Sequence, residues 1–321
     1  MRLLQRYPLP TTAGAANNFT RVGNERQNQN QFDVRIDHRF STNSAVFGRY
    51  SYAKDFSNPV APLPDGSGNI TNGAIGKTDT RAGPLVLNYT RIFAPGLLNE
   101  LRFGETRRKV KRRSSAIIGG NTDLLRGVPE TAAFRFSLPT VSIAGFQPLG
   151  SNANTNTDFS TAVTEFYDAV SYQFNKHSFK LGGDFRRERL DVLQPPAPTG
   201  QFIFNQILTN SAGANGARNG LASLTGNAFA SFLLGQVQNF SIDLQSELLR
   251  PRAKFTELFA QDNWRINSKL TLILGVLYTL NFPSTEKNNR AAVFNLETQR
   301  LDFSRQNGNS ESARQLSPEN Y

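Results

Sequence analysis

Few residues of this chain have the types and spacings that catalysis needs. There is no Cys, which excludes thiolate ligands and cysteine nucleophiles, and only two histidines, His38 and His177, are available for imidazole chemistry. Asp184 and Glu188 fall on one face of a predicted strand, about 13 Å apart at 3.3 Å per residue, which is too far for a coupled acid–base pair. They are expected to neutralise Arg186, which lies between them. The sequence therefore predicts no catalytic constellation, no metal site and no cofactor, and hence no enzyme.

The densest cluster of charge is a basic run at 107–113. A run of this kind can be a nucleic-acid patch, or it can be the solvated flank of a loop. A nucleic-acid groove is expected to interleave aromatic side chains with the basic ones, and this run contains no aromatic residue. We therefore predict no nucleic-acid partner. The run is formed by Arg107, Arg108, Lys109, Lys111, Arg112 and Arg113.

Composition restricts the remaining classes of protein. The 321 residues include 36 Lys+Arg and 25 Asp+Glu, giving a net charge of +11, and 38% are apolar while 11% are aromatic. The apolar content is low for a soluble domain, yet the chain is not charged enough to be disordered throughout. No uninterrupted apolar stretch of about 18 residues exists, so a helical membrane span is excluded. The first ten residues lack the apolar core of a secretory signal, and we expect either a cytosolic protein or a piece of a longer one.

Strict alternation of apolar and polar residues predicts β-strands, because a period of two separates the two sets onto opposite faces. In 32–40, for example, Phe32, Val34 and Ile36 share a face that is opposite Asp33 and Arg35. One short helical stretch is predicted near 221–234. About eleven candidate strands are recognised: 32–40, 45–54, 84–94, 97–107, 160–174, 178–190, 200–206, 236–244, 253–266, 270–281 and 291–303.

The connections favour a membrane barrel. Very short turns join several strand pairs, whereas long polar connections occur at 55–83, 108–159 and 282–290. Tight turns on one side and long loops on the other are typical of transmembrane β-barrels, and several candidate strands exceed the roughly 9–11 residues that a tilted bilayer crossing needs. A soluble sandwich also alternates but does not predict loops this unequal. We expect an all-β protein, an antiparallel transmembrane β-barrel with its long loops on one side.

A barrel also needs interfacial aromatic residues and a lipid-facing apolar surface. Five aromatic residues lie beside the predicted tight turns, in phase with the apolar face of their strands: Phe40, Phe93, Phe174, Phe179 and Trp264. We predict that they form an interfacial girdle, the alternative being the end of a soluble core. The residues predicted to face lipid are Val34, Val170, Leu181, Leu272 and Leu274. The basic run would then leave the membrane on the loop side, where it could contact anionic lipopolysaccharide.

The segment at 259–295, FAQDNWRINSKLTLILGVLYTLNFPSTEKNNRAAVFN, resembles the barrel region of TonB-dependent receptors of the Oar-like type. That family carries a YAQDxW strand, a tight turn, an LTLxLGLRYE-like strand and an EKNN loop. The segments at 31–52, 87–104 and 177–188 agree with it less specifically. Ile273 and Leu277 depart from the family, which usually places polar residues at these lumen-phase positions.

The resemblance implies an outer-membrane barrel of about 22 strands that encloses a plug. We expect residues 1–31 to be a linker, 32–303 to be roughly half of the barrel, and 304–321 to be a polar loop towards strands outside this chain. The intact protein would take up a scarce ligand, such as a metal chelate, a cofactor or a glycan, powered by TonB through the plug. The alternatives are a porin-like or structural barrel without TonB coupling, and a soluble basic β-domain that binds nucleic acid or polysaccharide.

Strand parity adds a topological expectation. If the tight turns all lie on one side, then 200–206 and 236–244 must both cross the membrane or neither must. We favour both, which places 207–235 on the same side as the turn at 267–269. The outermost strands, 32–40 and 291–303, are expected to present unpaired edges.

Overall fold

The computed structural model describes residues 3–69, 75–119, 132–210, 225–306 and 309–312. Within these ranges the chain is almost entirely β-structure, with one α-helix, α1 (Ala228–Leu233), and two single-turn 3₁₀ helices. None of these helices has the length and the apolar character that a membrane crossing requires. The strands are β1 (Arg26–Ser41), β2 (Ser44–Asn58), β3 (Lys77–Ala94), β4 (Leu97–Arg113), β5 (Thr140–Ile143), β6 (Thr157–Phe174), β7 (His177–Leu193), β8 (Gln201–Phe204), β9 (Asn239–Ser241), β10 (Pro251–Arg265), β11 (Thr271–Glu286), β12 (Ala292–Asn295) and β13 (Arg300–Phe303).

Eight of these strands form the main sheet, in the order β1-β2-β3-β4-β6-β7-β10-β11. Every neighbouring pair is antiparallel. The strands are 15 to 18 residues long, more than a tilted bilayer crossing needs. The all-β antiparallel architecture predicted from the alternation is therefore confirmed.

Tight turns join the hairpins at one end of this sheet, as the sequence predicts. The β3–β4 turn contains Pro95, whose ring fixes φ, and Gly96, which adopts a φ of 80°. The β6–β7 turn contains Asn175 with a φ of 52°, a left-handed value that asparagine tolerates. In the β10–β11 turn, the Asn267 side chain accepts hydrogen bonds from the backbone N–H groups of Lys269 and Leu270. We call this the turn end and the opposite one the loop end.

The strand register gives the main sheet two chemically different faces. Residues that pair directly lie on the same face, so the register can be followed across the sheet. One row runs from Val170 through Leu181 and Ala260 to Val276. The face that contains this row, the apolar face, keeps its large hydrophobic side chains exposed. The other face, the polar face, carries charged residues such as Arg35.

Two segments predicted to cross the membrane do not join the main sheet. The strand predicted at 200–206 is β8 and the strand predicted at 236–244 is β9, and both belong to a separate three-stranded sheet with β5. β7 pairs directly with β10 instead. The expectation that both segments join the long membrane-type strands was therefore wrong, and neither does, which is the other outcome that strand parity allows. The segment between β7 and β10, including α1, therefore starts and finishes at the loop end.

The strand count and the edges differ from the prediction for the same reason. The main sheet has eight strands rather than about eleven, because β8 and β9 pair elsewhere and 291–303 forms the small β12–β13 hairpin. The edges of the main sheet are β1 and β11, so the edge expected at 291–303 is at Thr271–Glu286 instead. β1 begins at Arg26, inside the segment predicted as a linker.

At the loop end, the small sheet and α1 form a compact unit that we call the loop cap. Its buried core combines Leu63 from the β2–β3 connection, Val141 and Leu149 from the β4–β6 connection, and Phe204 and Ala228 from the β7–β10 connection. Asn227 is the N-cap of α1, and its side chain accepts hydrogen bonds from the backbone N–H groups of residues 229 and 230. Three separate connections thus share one hydrophobic core.

Candidate functional site

The apolar face brings together the residues predicted to form the girdle and the lipid-facing surface. All five predicted lipid-facing residues share this face, and Val34, Leu181, Leu272 and Leu274 are between 37% and 56% exposed. Phe40, Phe93 and Phe174 are exposed next to the tight turns. The contact of these side chains with lipid stays a prediction, and their common face is what that prediction requires.

His177 joins the predicted aromatic residues at the turn end and was not singled out from the sequence. Its ring stacks on Phe179 at a centroid distance of 5.5 Å and on Trp264 at 5.4 Å. Its Nδ1 atom lies 2.7 Å from Oδ2 of Asp262 on the neighbouring strand. Pairing of His177 with Trp264 across β7 and β10 produces this cluster, and the sequence does not reveal which strand lies beside β7. A rigid aromatic cluster of this kind suits an interfacial position.

The basic run lies within β4, not on the loop beyond a strand that ends at 107. Because β4 continues to Arg113, alternation divides the run between the two faces. Arg107, Lys109, Lys111 and Arg113 share the apolar face with Leu101, whereas Arg108 and Arg112 lie on the polar face. The side chain of Arg112 donates a hydrogen bond to Oγ1 of Thr78 at 3.1 Å.

Basic residues from two other strands lie beside the outward-facing half of this run. Arg107 pairs with Ala162, Ala162 pairs with Arg189, and Arg189 pairs with Arg252, which gives a row across β4, β6, β7 and β10. Arg187 lies two residues before Arg189, on the same face and closer to the turn end. The sequence contained a signal for these residues, because Arg187 and Arg189 have the same parity as Phe179 and Leu181 in β7.

Ion pairs neutralise part of this charge. Glu105 accepts hydrogen bonds from Arg107 at 2.9 Å and from Arg189 at 3.0 Å, so it connects β4 to β7 across the intervening strand β6. Arg252 contacts Asp191 at 2.6 Å. Among the residues that the structure describes, Lys109 and Arg187 form no ion pair and are exposed. The loop end of the apolar face therefore keeps a surplus of positive charge.

The polar face carries alternating cationic and aromatic groups. Arg102 lies over the ring of Tyr167 at 5.2 Å, and this ring stacks on Phe259 at 6.0 Å. Arg186 lies over Phe255 at 4.7 Å and forms an ion pair with Glu188 at 3.3 Å. Of the two carboxylates expected to neutralise Arg186, Glu188 therefore does so, whereas the described residues show no ion pair between Arg186 and Asp184. When such a sheet closes into a barrel, this face lines the lumen.

The loop cap carries an open cleft of about 700 Å³. Four aromatic residues, Tyr7, Phe19, Phe146 and Phe229, contribute to its lining, and Phe146 stacks on Phe229 at 5.0 Å. The hydroxyl of Tyr7 donates a hydrogen bond to the Gln147 carbonyl oxygen at 2.8 Å. Burial, together with the negative charge of Asp65, raises the pKa of Tyr7 to about 12.

Metal ligation finds no support in this geometry. In the described part of the chain, no group of three or more His, Cys, Asp or Glu residues is placed to hold a metal ion. The acidic residues on the apolar face are occupied locally instead, with Asp168 accepting a hydrogen bond from the Asn99 side chain at 2.6 Å.

Comparison with solved structures finds receptors of the outer membrane. The alcaligin outer membrane receptor FauA of Bordetella pertussis matches with a TM-score of 0.44 and 11% identity over 81% of this chain and 30% of FauA. The ferripyoverdine receptor of Pseudomonas aeruginosa matches with a TM-score of 0.44 and 9% identity, over 82% of this chain and 32% of the receptor. The outer membrane transporter YddB of Escherichia coli matches with a TM-score of 0.30 and 10% identity, over 81% of this chain and 35% of YddB. The chain thus spans about a third of the length of these structures.

No match is found among curated proteins. A family model for an outer membrane beta barrel domain, however, matches residues 1–321, which is the whole chain. This assignment places the protein in the outer membrane of a Gram-negative bacterium and excludes the soluble basic β-domain. Together with the open antiparallel sheet and its apolar face, it identifies the chain as a member of the outer membrane beta barrel domain family.

Proposed function

We propose that this chain forms part of the barrel wall of a TonB-dependent receptor, which takes up a scarce ligand across the outer membrane. The proposal rests on the sequence resemblance at 259–295 and on the loop cap. It assigns no catalytic role to the chain.

The loop cap is the observation that carries the proposal. A general diffusion pore needs a water-filled path and no folded surface that selects one ligand. Here, three connections bury a common core and, together with the N-terminal segment at 7–21, line a cleft with aromatic and amide side chains, among them Asn18 and Gln147. Apolar walls with a few fixed polar groups are typical of ligand sites. A metal chelate, a cofactor or a glycan could each use such a cleft.

The polar face supports the same function. Its cation–aromatic contacts, such as Arg102 over Tyr167, present fixed charges along the wall that a plug would contact in the closed barrel. In this proposal, coupling to TonB occurs through the plug, and the chain described here provides the wall and part of the ligand entrance.

The test uses the full-length natural protein purified from outer membranes. We expect the immobilised periplasmic domain of TonB to retain it, and planar bilayers containing it to show no stable open-channel conductance, because the plug fills the lumen. A protein that is not retained by TonB and conducts in stable single-channel steps would be the porin-like alternative. A matched protein from which the TonB-interacting segment has been deleted controls for non-specific retention.

A further inference from the structure

A cationic cleft opens on the apolar face, near the loop end of the main sheet. Its volume is about 480 Å³, and it is lined by the outward-facing basic residues of β4, β7 and β10. Arg107 and Lys109 form one wall on β4, whereas Arg187 and Arg189 form the other on β7. Between them lies β6, which contributes the small side chains of Ser160 and Ala162 to the floor, and the other lining residues are Asp191, Arg252 and Lys287.

The dimensions of the cleft suit a phosphate group. The two walls are separated by one intervening strand, hence by about 10 Å at a strand spacing of 4.7–4.9 Å. Long basic side chains from both walls can therefore reach one tetrahedral anion between them. The six basic residues of the lining face the carboxylates of Asp191 and Glu105, which leaves an excess of four positive charges. Arg189 also has a buried Nε atom without a hydrogen-bond partner.

The height of the cleft above the turn end matches the outer edge of a bilayer. Arg187 lies eight residues and Arg189 ten residues beyond Phe179 on β7. At about 3.3 Å per residue and a tilt of about 40°, these separations correspond to about 20 Å and 25 Å along the membrane normal. The apolar band of an outer-membrane barrel is about 25 Å tall. With Phe179 at the lower interface, the cleft lies at the level of the outer headgroups.

An apolar surface adjoins the cleft on its membrane side. Phe103 pairs with Phe166, and Phe166 pairs with Phe185, in the row directly below the one that contains Glu105 and Arg187. The rings of Phe103 and Phe166 are 4.9 Å apart. A molecule bound here would therefore meet cations at its head and aromatic rings along its tail.

From these observations we propose that the cleft binds a phosphate of the lipid A moiety of lipopolysaccharide, with the acyl chains lying over the phenylalanine row. Charge-assisted hydrogen bonds from two walls would hold the phosphate, which is the geometry that arginine favours. The site differs from the basic run as read from the sequence, because Arg108 and Arg112 face away from it while Arg187, Arg189 and Arg252 belong to it. It does not depend on TonB coupling.

The test measures binding of bisphosphorylated lipid A to the full-length protein in detergent micelles, by native mass spectrometry. The K109Q/R187Q variant removes one cation from each wall of the cleft, and neither of these two cations has a carboxylate partner. The matched control, R108Q/R186Q, changes the preceding residue on each of the same two strands and removes the same charge from the opposite face. We expect the cleft variant to bind lipid A at least about tenfold more weakly, and the control to bind as the unmodified protein does.

Further arms separate the possible anions. Dephosphorylated lipid A should bind about tenfold more weakly than the bisphosphorylated form, and the K109R/R187K variant should retain binding. Equal losses in the two glutamine variants would mean that only net charge matters and would overturn the proposal. Equal binding of phosphatidylglycerol, or saturation of the cleft by inorganic phosphate alone, would also overturn it. Heat-modifiable gel migration, which reports on the folded barrel, verifies that each variant is compared in its folded state.

Discussion

The ring of Phe259 on β10 lies directly against the backbone of Gly182 on β7. A Cβ atom added at Gly182 would stand 2.6 Å from Cζ of Phe259 and 2.5 Å from the carbonyl oxygen of Asp168, both closer than real Cβ contacts allow. A glycine within a strand often marks a bend or a close approach of a neighbouring group to the backbone. Here Gly182 makes room for the stack of Phe259 on Tyr167.

Replacing Gly182 by alanine should therefore destabilise the barrel. We expect G182A to lower the free energy of unfolding by about 1–3 kcal/mol, since the carbonyl oxygen cannot move away without distorting the sheet. The matched control is G275A on β11, where the nearest atom to the added Cβ is 3.5 Å away. Urea unfolding of the full-length protein from lipid vesicles measures both. Equal stability of the two variants would contradict the packing described here.

If the apolar face contacts lipid, a charge introduced on that face should lower the stability of the barrel more than a charge introduced on the polar face. Val276 on the apolar face and Leu277 on the polar face are neighbours with exposures of 66% and 63%, so they form a matched pair. V276R should cost about 2–4 kcal/mol near the bilayer midplane, whereas L277R should cost far less. Leu272 pairs with Trp264 at the turn end, so L272R should cost only about 0–1 kcal/mol. The free energy of folding into lipid vesicles measures the cost of all three substitutions. A cost for L277R as large as that for V276R would contradict the assignment of the two faces.

The direct pairing of β7 with β10 predicts which segments are accessible from outside the cell. Because this chain has no Cys, it contributes no labelling of its own when single cysteines are introduced into it. L234C, at an exposed position just after α1 in the connection between these strands, should react with a membrane-impermeant maleimide in whole cells. S268C, in the β10–β11 turn, should react only after the outer membrane is opened. Ser223, another position in the same connection, lies outside the described residues. Protection of L234C in intact cells would restore the two extra crossings, because those crossings would place 207–235 on the side of the β10–β11 turn.

The packing of Tyr7 in the loop cap predicts a pH dependence at high pH. Its pKa rises from an ordinary value of 10.0 to about 12. Between these values the unfolded state loses the phenolic proton while the folded state keeps it, so the stabilisation from this site is complete below pH 10 and declines as the pH rises towards 12. The phenolate absorbance of the unmodified protein minus that of Y7F should titrate with a midpoint near pH 12. A midpoint near 10 would mean that Tyr7 is solvated.

The hairpins of the main sheet could be predicted from the sequence because short-range features determine them. Turn residues such as Pro95, Gly96, Asn175 and Asn267 act within a few positions, and strict alternation identifies the face of each long strand. The predicted aromatic and apolar residues consequently fall on one side of the sheet. The predicted interval of each membrane strand was too short at one or both ends, since the charged residues that extend the strands at the loop end do not alternate in hydrophobicity.

Long-range pairing could not be read in the same way. The segments that became β8 and β9 are short, and alternation over so few residues is compatible with any sheet. Placing β10 beside β7 requires knowing that the intervening residues, 194–250, fold back to the loop end. The cationic cleft was missed for this reason, because its walls are separated by about 80 residues in sequence and meet only through strand register. The basic run alone revealed one wall.

The shared core of the loop cap constrains how this protein can diversify. Leu63, Val141 and Phe204 belong to different connections but fill the same interior, so a length change in one connection disturbs the packing of the other two. In barrels whose loops are independent, each loop can be exchanged by itself. Here, the three connections can change only together, and transplanting the loop cap onto another barrel would require moving all three.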